Sequence, residues 1–360
     1  MKPFPRDILG QILFLRLDEN RWHVSLERLL RRASPGGVLL SAPLPASAES
    51  TRQFLRNIAR SLPHPPFLAV REEGGSNDPL SRFFPRLPSP RATAERGVAF
   101  VARLGELIGE GLSLLGFNTN FAPVLDLATA FTEQTLGGRT FGSDPRLVAQ
   151  CGAAFLRGQQ RHSVVAAGKH FPGWGSVSPK VPGGLGMSSK SMAALWREDL
   201  VPYRQLLPQL AMVLVSSAAY KAYDFDNPRP ACRSTQVLEG LLRVKLGYRG
   251  LALAYEFESE RAHGTLDLGE AAIQSVKAGC DMLIVDQGRP LDIVRQALDA
   301  GIESGKLPTQ RVEQALGRVR GAKKRLMPPL GRVSKAALNQ VARRFENFSK
   351  EFRQEEMRIA

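Results

Sequence analysis

The sequence predicts an α/β fold, a (β/α)8 TIM-type barrel with an extra C-terminal helix. The first observation is that eight short runs rich in Val, Leu, Ile and Ala recur along the 360 residues. The second is that stretches with helical periodicity separate these runs, which is the pattern of a parallel sheet covered by helices. Eight strands with intervening helices in one chain of this length match a single barrel domain.

The predicted strands occupy residues 9–17, 37–41, 67–72, 118–125, 164–171, 212–217, 251–257 and 281–286. The predicted helices occupy residues 46–61, 92–115, 145–161, 189–207, 235–246, 269–278, 290–304 and 308–326. Several helices have clear end signals. Ser143-Asp144-Pro145 offers a side-chain cap with proline in the first turn, and Gly247 offers a stop.

The chain is expected to divide into a barrel, residues 1–327, and a basic, amphipathic helical extension, residues 328–360. The division falls at Pro328-Pro329, after which residues 334–359 form a charged amphipathic pattern outside the eightfold alternation. Two roles are open for this extension. The pattern favours a cap on the bottom of the barrel, and the alternative is a surface for a protein partner.

The net charge of +15 indicates attraction to anionic partners. Arginine is nevertheless spread through nearly every predicted helix, and no basic stretch is interleaved with aromatic residues. We therefore expect most of this charge to be solvated surface and predict no specific nucleic-acid partner.

The sequence favours a cytoplasmic protein without a membrane span, metal or cofactor. The N-terminal apolar run, residues 8–17, is interrupted by polar residues, and no stretch approaches the roughly 18 apolar residues of a membrane helix. Cys151, Cys232 and Cys280 are far apart in apolar surroundings, which argues against disulfides and against a metal cluster.

Candidate functional residues follow the predicted strands, because barrel enzymes carry their chemistry at the carboxyl ends of the strands. The polar residues at these positions are Arg71, Glu72, Glu73, Asp126, Arg139, Lys169, His170, Ser216, Ser217, Tyr255, Glu256, Glu258 and Asp286.

Six motifs around these positions occur in one order over residues 8–325. They are Pro35-Gly36-Gly37-Val38-Leu39-Leu40, Glu73-Gly74-Gly75, Asn120-Phe121-Ala122-Pro123-Val124-Leu125-Asp126, Arg139-Thr140-Phe141-Gly142-Ser143-Asp144-Pro145, Gly168-Lys169-His170-Phe171-Pro172-Gly173 and Glu198-Asp199-Leu200-Val201-Pro202-Tyr203. In this order and spacing the chain resembles bacterial family 3 glycoside hydrolases of the β-N-acetylhexosaminidase type.

The resemblance implies a barrel that removes terminal N-acetylglucosamine with retention, typically from peptidoglycan fragments, without a metal. It implies an aspartate nucleophile after the seventh strand and a histidine and aspartate acid/base pair on the loop after the fifth. It also implies that Arg139, Lys169 and His170 contact the sugar.

The acid/base loop departs from this pattern. After Lys169-His170-Phe171-Pro172-Gly173 the chain continues with Trp174, and Lys180 and Pro182 fall where the family's aspartate and histidine stand. Proline has no proton to give, and a lysine ammonium titrates well above neutrality unless it is strongly desolvated. The ordinary acid/base pair is therefore absent.

The nucleophile position departs as well, because Tyr255 stands where the family has its aspartate. Two replacements are open. Tyr255 is itself the nucleophile, activated by Glu256 or Glu258, or Glu256 enters the site through a bulge in the strand. Neither replacement supplies an acid for the leaving group.

Other positions leave further alternatives. Arg71 replaces the family's sugar-binding aspartate, and it binds a carboxylate or phosphate or pairs with Glu73. Ser217 replaces a family histidine. Trp174 stacks on a sugar face or packs as a plug in its loop.

The first hypothesis is a catalytically impaired family member that binds a saccharide containing N-acetylglucosamine, or a protein partner. The predicted binding residues are Arg71, Glu73, Arg139, Lys169, His170 and Trp174. The second hypothesis is an active retaining glycosidase whose relocated nucleophile is Tyr255 or Glu256. A third, in which the basic surface binds an anionic polymer, has the least support.

Overall fold

Eight parallel strands close into a barrel in the computed structural model, which describes residues 4–178, 185–255, 267–326 and 333–359. The barrel strands are β1 (Leu13–Leu17), β2 (Gly37–Leu40), β3 (Phe67–Val70), β4 (Thr119–Asn120), β5 (Val165–Phe171), β7 (Met212–Val215), β9 (Leu251–Ala254) and β10 (Met282–Asp286). Each strand pairs with its neighbours along the chain, and β10 returns to β1. The predicted (β/α)8 barrel is therefore confirmed. Two short strands, β6 (Met187–Ser188) and β8 (Ala219–Tyr220), form a separate sheet.

Helices surround the barrel. Their bounds are Arg6–Leu9, Val24–Ala33, Ala48–Ser61, Pro90–Glu95, Val98–Leu115, Ala130–Thr135, Pro145–Gln160, Met192–Arg197, Val201–Leu206, Gln236–Lys245, Leu268–Ala278, Arg289–Glu303, Thr309–Lys323 and Lys335–Ile359. Short 3₁₀ turns occupy Gly10–Ile12, Pro79–Arg82, Gly137–Arg139 and Ala231–Arg233. Within the described ranges, no helix has both the length and the apolar character needed to cross a membrane.

Several predicted elements are shorter than their sequence patterns or are divided. The strand predicted over residues 9–17 begins at Leu13, and the helix predicted over residues 189–207 is two helices, Met192–Arg197 and Val201–Leu206. The fourth strand ends at Asn120, because the run continues into Pro123, which has no amide proton for a strand ladder. The long helix predicted over residues 92–115 is divided at Gly97, whose φ of 102° lies outside the helical region.

Aromatic rings fill the centre of the barrel. Phe14, Phe67 and Phe121 are fully buried, and the ring centroids of Phe14 and Phe121 lie 5.0 Å apart. Gly37 lies against this cluster, since a Cβ atom there would be only 2.5 Å from the Phe14 ring. The barrel is thus a packed core, and ligands must bind at its ends.

A buried carboxylate ties together the amino ends of the last strands. Asp281 accepts hydrogen bonds from Arg243 at 2.6 Å, Arg311 at 3.0 Å and Arg318 at 2.9 Å, and from the amide of Ala252 at 3.0 Å. Because the Asp281 side chain is fully buried, these partners supply the charge and hydrogen bonds that water would otherwise provide.

The C-terminal helix, Lys335–Ile359, lies along the outer side of Val98–Leu115. Phe345 is fully buried and stacks on Phe84 with a centroid separation of 4.6 Å, and Arg344 pairs with Glu110 at 2.6 Å. The expected cap on the bottom of the barrel is therefore wrong, because the apolar face of this helix is used along the side of the barrel.

The bottom of the barrel instead opens to a cavity of about 820 Å³, lined in the described ranges by Pro63, Pro66, Phe117 and Lys323 among others. The boundary between residues 327 and 328 lies outside the described residues, so the division into two parts stays a prediction. A protein partner on the remaining faces of the helix also stays a prediction.

Phe345→Ala is expected to lower the free energy of unfolding by about 3–5 kcal/mol, because it removes a buried ring that joins the extension to the barrel. Urea denaturation followed by circular dichroism measures this loss. Phe225→Ala is the matched control, since Phe225 is 78% exposed and its loss should change the unfolding free energy by less than about 0.5 kcal/mol. Equal stability of the two variants would show that the extension does not contribute to the stability of the barrel.

Candidate functional site

The candidate residues meet at the carboxyl ends of the barrel strands. Arg71 directly follows β3, Tyr255 directly follows β9, and Lys169 and His170 lie near the end of β5. Arg139 reaches the same place from the 3₁₀ turn Gly137–Arg139 in the segment after β4. The structure therefore brings together the residues that the sequence analysis assigns to one site.

Glu73 is the centre of the site. Its buried carboxylate accepts two parallel hydrogen bonds from Arg139, at 2.6 Å from Nε and 2.8 Å from Nη2. The ammonium group of Lys169, which is fully buried, donates to the same carboxylate and to the backbone carbonyl of Phe121. One carboxylate thus holds two cations in fixed positions.

The charges of this cluster shift the pKa values of both partners. Burial alone would raise the pKa of Glu73, but Lys169 and Arg139 lower it to about 2. Burial lowers the pKa of Lys169 to about 8, although Glu73 partly opposes that change. Between these two values the carboxylate and the ammonium are both charged, so the cluster is an ion pair at neutral pH.

Asp126 orients His170. Its carboxylate lies 2.7 Å from Nδ1 of the imidazole and also accepts the amide of His170 at 3.2 Å and the amide of Trp174 at 2.7 Å. A carboxylate beside Nδ1 places the proton of a neutral imidazole on that nitrogen, so Nε2 is the nitrogen that remains for a ligand. His170 and Asp126 are both buried.

Two aromatic side chains pack against His170. The ring centroid of Trp174 lies 4.7 Å from that of His170, and the ring centroid of Tyr255 lies 5.1 Å away. Trp174 is half-buried, and its contact with His170 gives it a packing role in the site. Stacking of Trp174 on a sugar stays a prediction.

Arg71 lies beside Tyr255. Its Nη1 donates a hydrogen bond to the Tyr255 hydroxyl at 3.2 Å. The proposed pairing of Arg71 with Glu73 is wrong, because Arg139 and Lys169 occupy the Glu73 carboxylate. A cation therefore stands next to the phenol group of Tyr255.

The side chain of Glu72, which has no predicted role, supports the loop after β3. It is fully buried and accepts the amides of Gly74 and Leu80, each at 2.9 Å. Burial and the neighbouring Asp78 raise the pKa of Glu72 well above its ordinary value of 4.5. The sequence alone does not separate this structural role from that of Glu73, because the two acids are adjacent.

Asp126 and the Phe121 carbonyl are the groups whose roles the sequence analysis missed. Asp126 ends the motif that follows β4, which was the available signal for its importance. A backbone carbonyl leaves no signal in a sequence. The described residues do not include four positions on which the arguments about catalysis depend, namely Glu256, Glu258, Lys180 and Pro182. Among the described residues, no group of three or more His, Cys, Asp and Glu could hold a metal ion.

The chain belongs to glycoside hydrolase family 3. The model of the glycosyl hydrolase family 3 N-terminal domain matches residues 9–322. A β-hexosaminidase of Pseudomonas aeruginosa is 31% identical over 274 residues, which cover 74% of this chain and 80% of that protein. A β-hexosaminidase of Alkalilimnicola ehrlichii is 32% identical over 287 residues, which cover 77% and 81%.

Solved structures agree with this assignment. A family 3 β-N-acetylglucosaminidase from a Paenibacillus species superposes with a TM-score of 0.87 at 25% identity, covering 96% of this chain and 68% of the other. A family 3 glycosyl hydrolase from Mycobacterium smegmatis gives a TM-score of 0.80 at 27% identity, covering 91% and 98%. The fold of this chain is therefore that of these family 3 glycoside hydrolases.

Glu73→Gln is expected to lower the free energy of unfolding by about 3–5 kcal/mol, because it leaves two buried cations without their carboxylate. Urea denaturation at pH 7 measures the change. Glu133→Gln is the control, since Glu133 pairs with Arg91 at the surface and its loss should cost at most about 1 kcal/mol. Similar losses in both variants would mean that the Glu73 cluster does not stabilise the fold more than a surface pair does.

The difference in stability between the wild type and Glu73→Gln should narrow by about 2 kcal/mol from pH 7 to pH 3. The pKa of Glu73 is lowered from 4.5 to about 2, so its contribution is complete above pH 4.5 and disappears as the pH falls towards 2. A protonated glutamic acid is as neutral as glutamine, so the two proteins become alike in acid. Urea denaturation series at several pH values measure this difference, and a constant gap would contradict the assigned ion pair.

Proposed function

We propose that this family 3 protein is a catalytically impaired barrel that binds a saccharide containing N-acetylglucosamine. One observation carries the proposal. The two carboxylates at the centre of the site, Glu73 and Asp126, are bonded to protein groups, and a tyrosine stands at the nucleophile position.

Retaining hydrolysis needs a nucleophile that attacks the anomeric carbon and an acid that protonates the leaving oxygen. Glu73 is unsuited to attack because two cations stabilise its charge and fix its oxygens. Asp126 is unsuited because it accepts hydrogen bonds from His170 and Trp174. The aspartate and histidine of the family's acid/base pair are replaced on the loop after β5. The site therefore lacks the acid that would protonate the leaving oxygen.

Binding requires less than catalysis, and the site keeps the groups for it. The Lys169 ammonium has three protons, of which Glu73 and Phe121 accept two. Arg139 and Nε2 of His170 add further groups that suit sugar hydroxyls. Similarity to β-hexosaminidases supports an N-acetylhexosamine as the ligand. The proposed source of this ligand is peptidoglycan fragments in the cytoplasm, which follows from the resemblance to enzymes that act on such fragments.

A second function is favoured by the contact between Arg71 and Tyr255. A guanidinium group beside a phenol stabilises the phenolate, which is the nucleophilic form of tyrosine. In this alternative, Tyr255 attacks the sugar and the chain is an active retaining glycosidase. Glu256, the other candidate nucleophile, stays a prediction because it lies outside the described residues.

The wild type is expected to bind N-acetylglucosamine without hydrolysing 4-nitrophenyl N-acetyl-β-glucosaminide between pH 4 and pH 9. Calorimetry should show that Lys169→Ala weakens sugar binding by at least about tenfold, because a charge-assisted hydrogen bond is lost. Arg139→Gln should weaken sugar binding similarly. It is the second variant because the Arg139 side chain is less buried than that of Lys169. Thermal melts of both variants test whether each variant is folded.

Turnover by the wild type that disappears in Tyr255→Phe or in Glu256→Gln would replace the first function with the second. The two substitutions separate the two candidate nucleophiles, because each removes one reactive group and keeps nearly the same shape. Sugar binding that is unchanged in folded Arg139→Gln and Lys169→Ala would contradict the proposed site.

A further inference from the structure

Arg71 borders both the proposed sugar site and a neighbouring cavity. It donates to the Tyr255 hydroxyl at 3.2 Å, and the Tyr255 ring packs against His170. Arg71 also lines a cavity of about 410 Å³, formed by the segments that follow β2 and β3. Arg71 can therefore contact a ligand that extends from the sugar site into this cavity.

The carboxylates near Arg71 have other partners. Glu73 pairs with Arg139 and Lys169, as described above. Asp78, which also lines the cavity, accepts the amide of Ser81 at 3.0 Å and the amide of Leu87 at 2.9 Å. In the described part of the chain, Arg71 is hydrogen bonded to the hydroxyl of Tyr255 and forms no salt bridge with a carboxylate.

The described charged residues that line the cavity are two arginines and one aspartate. Arg82 lines it together with Arg71, and its Nε donates a hydrogen bond to the Pro45 carbonyl at 3.0 Å. Glu72, the next residue in the chain, is not among the described residues that line the cavity, and its carboxylate accepts the amides of Gly74 and Leu80. Among the described residues, Arg71 is thus a half-buried arginine without a salt bridge to a carboxylate, and a guanidinium group in this position suits a planar or tetrahedral anion.

We propose that this cavity holds the anionic group of an acidic saccharide, a carboxylate or a phosphate, with Arg71 as the specificity-determining residue. The inference rests on the proposed function, because the sugar ring of the same ligand would lie beside His170 and Lys169. It narrows the ligand from any saccharide with N-acetylglucosamine to one that carries a negative charge.

Calorimetry with three sugars tests the inference. The probes are neutral N-acetylglucosamine, N-acetylglucosamine 6-phosphate and N-acetylmuramic acid, which carries a carboxylate on a lactyl ether. The wild type should bind at least one acidic sugar on the order of tenfold more tightly than the neutral one. The probe that gains affinity identifies the anion as phosphate or carboxylate.

Variants of Arg71 should change the ratio of the acidic and neutral dissociation constants. Arg71→Gln should bring the ratio to about one, and Arg71→Lys should keep part of it, because lysine retains the charge but not the planar fork. Arg28→Gln is the control, since Arg28 is an exposed residue of the helix Val24–Ala33 and its loss changes the net charge equally. It should leave the ratio unchanged.

Equal dissociation constants for neutral and acidic sugars in the wild type would overturn this inference and leave the sugar-binding proposal standing. A ratio that persists in Arg71→Gln would also overturn it, because the preference would then come from other cations. Failure of all three sugars to bind would instead overturn the proposed function itself.

Discussion

The ion cluster around Glu73 is the interaction on which the mouth of the barrel depends. Glu73 belongs to the loop after β3, Arg139 to the segment after β4 and Lys169 to β5, so one carboxylate fixes three neighbouring strand ends. The chain reaches this position because Gly74, with φ of 86°, turns sharply after Glu73, and a Cβ there would lie 2.6 Å from the Pro88 carbonyl. Any change that neutralises Glu73 leaves two cations in a low-dielectric interior, which is far costlier than loss of a surface pair.

At each end of the barrel a buried carboxylate pairs with several cations, but the surroundings of the two clusters differ. At the bottom, Asp281 is surrounded by Arg243, Arg311 and Arg318, and its contacts all lie within the protein. At the mouth, Glu73 also holds cations, and those cations, Arg139 and Lys169, belong to the proposed sugar site. Tyr255 is attached to the barrel by its backbone, whose amide donates to the Val215 carbonyl at 3.1 Å. Its side chain takes no part in the strand ladder, so this pairing of the backbone does not depend on which side chain stands at position 255.

Most of the fold can be predicted from the sequence. The apolar runs indicate strands that are buried on both faces, and the stretches with helical periodicity between them indicate helices. The prediction fails where a single residue interrupts a pattern, as Pro123 shortens β4 and Gly97 divides a helix. The members of the site were predictable from their positions after the strands, but their pairings were not. Three cations, Arg71, Arg139 and Lys169, are all plausible partners of Glu73 in the sequence, and only the directions of their side chains exclude Arg71. The placement of the C-terminal helix was equally invisible, because an amphipathic pattern shows an apolar face without showing what covers it.

The proposed loss of catalysis and the proposed anion binding both rest on the balance of hydrogen-bond donors and acceptors at the mouth of the barrel. A glycosidase of this kind needs carboxylates that are free to attack or to hold a sugar hydroxyl. Arg71 is a donor at the position where the family resemblance implies an aspartate, and the carboxylates of Glu73 and Asp126 accept hydrogen bonds from protein groups. The mouth therefore offers mainly donors, from Arg71, Arg139 and Lys169, and a ligand must supply acceptors to match them. Sugar hydroxyls meet this demand in part, since each also carries a proton that needs an acceptor, whereas a carboxylate or phosphate meets it completely.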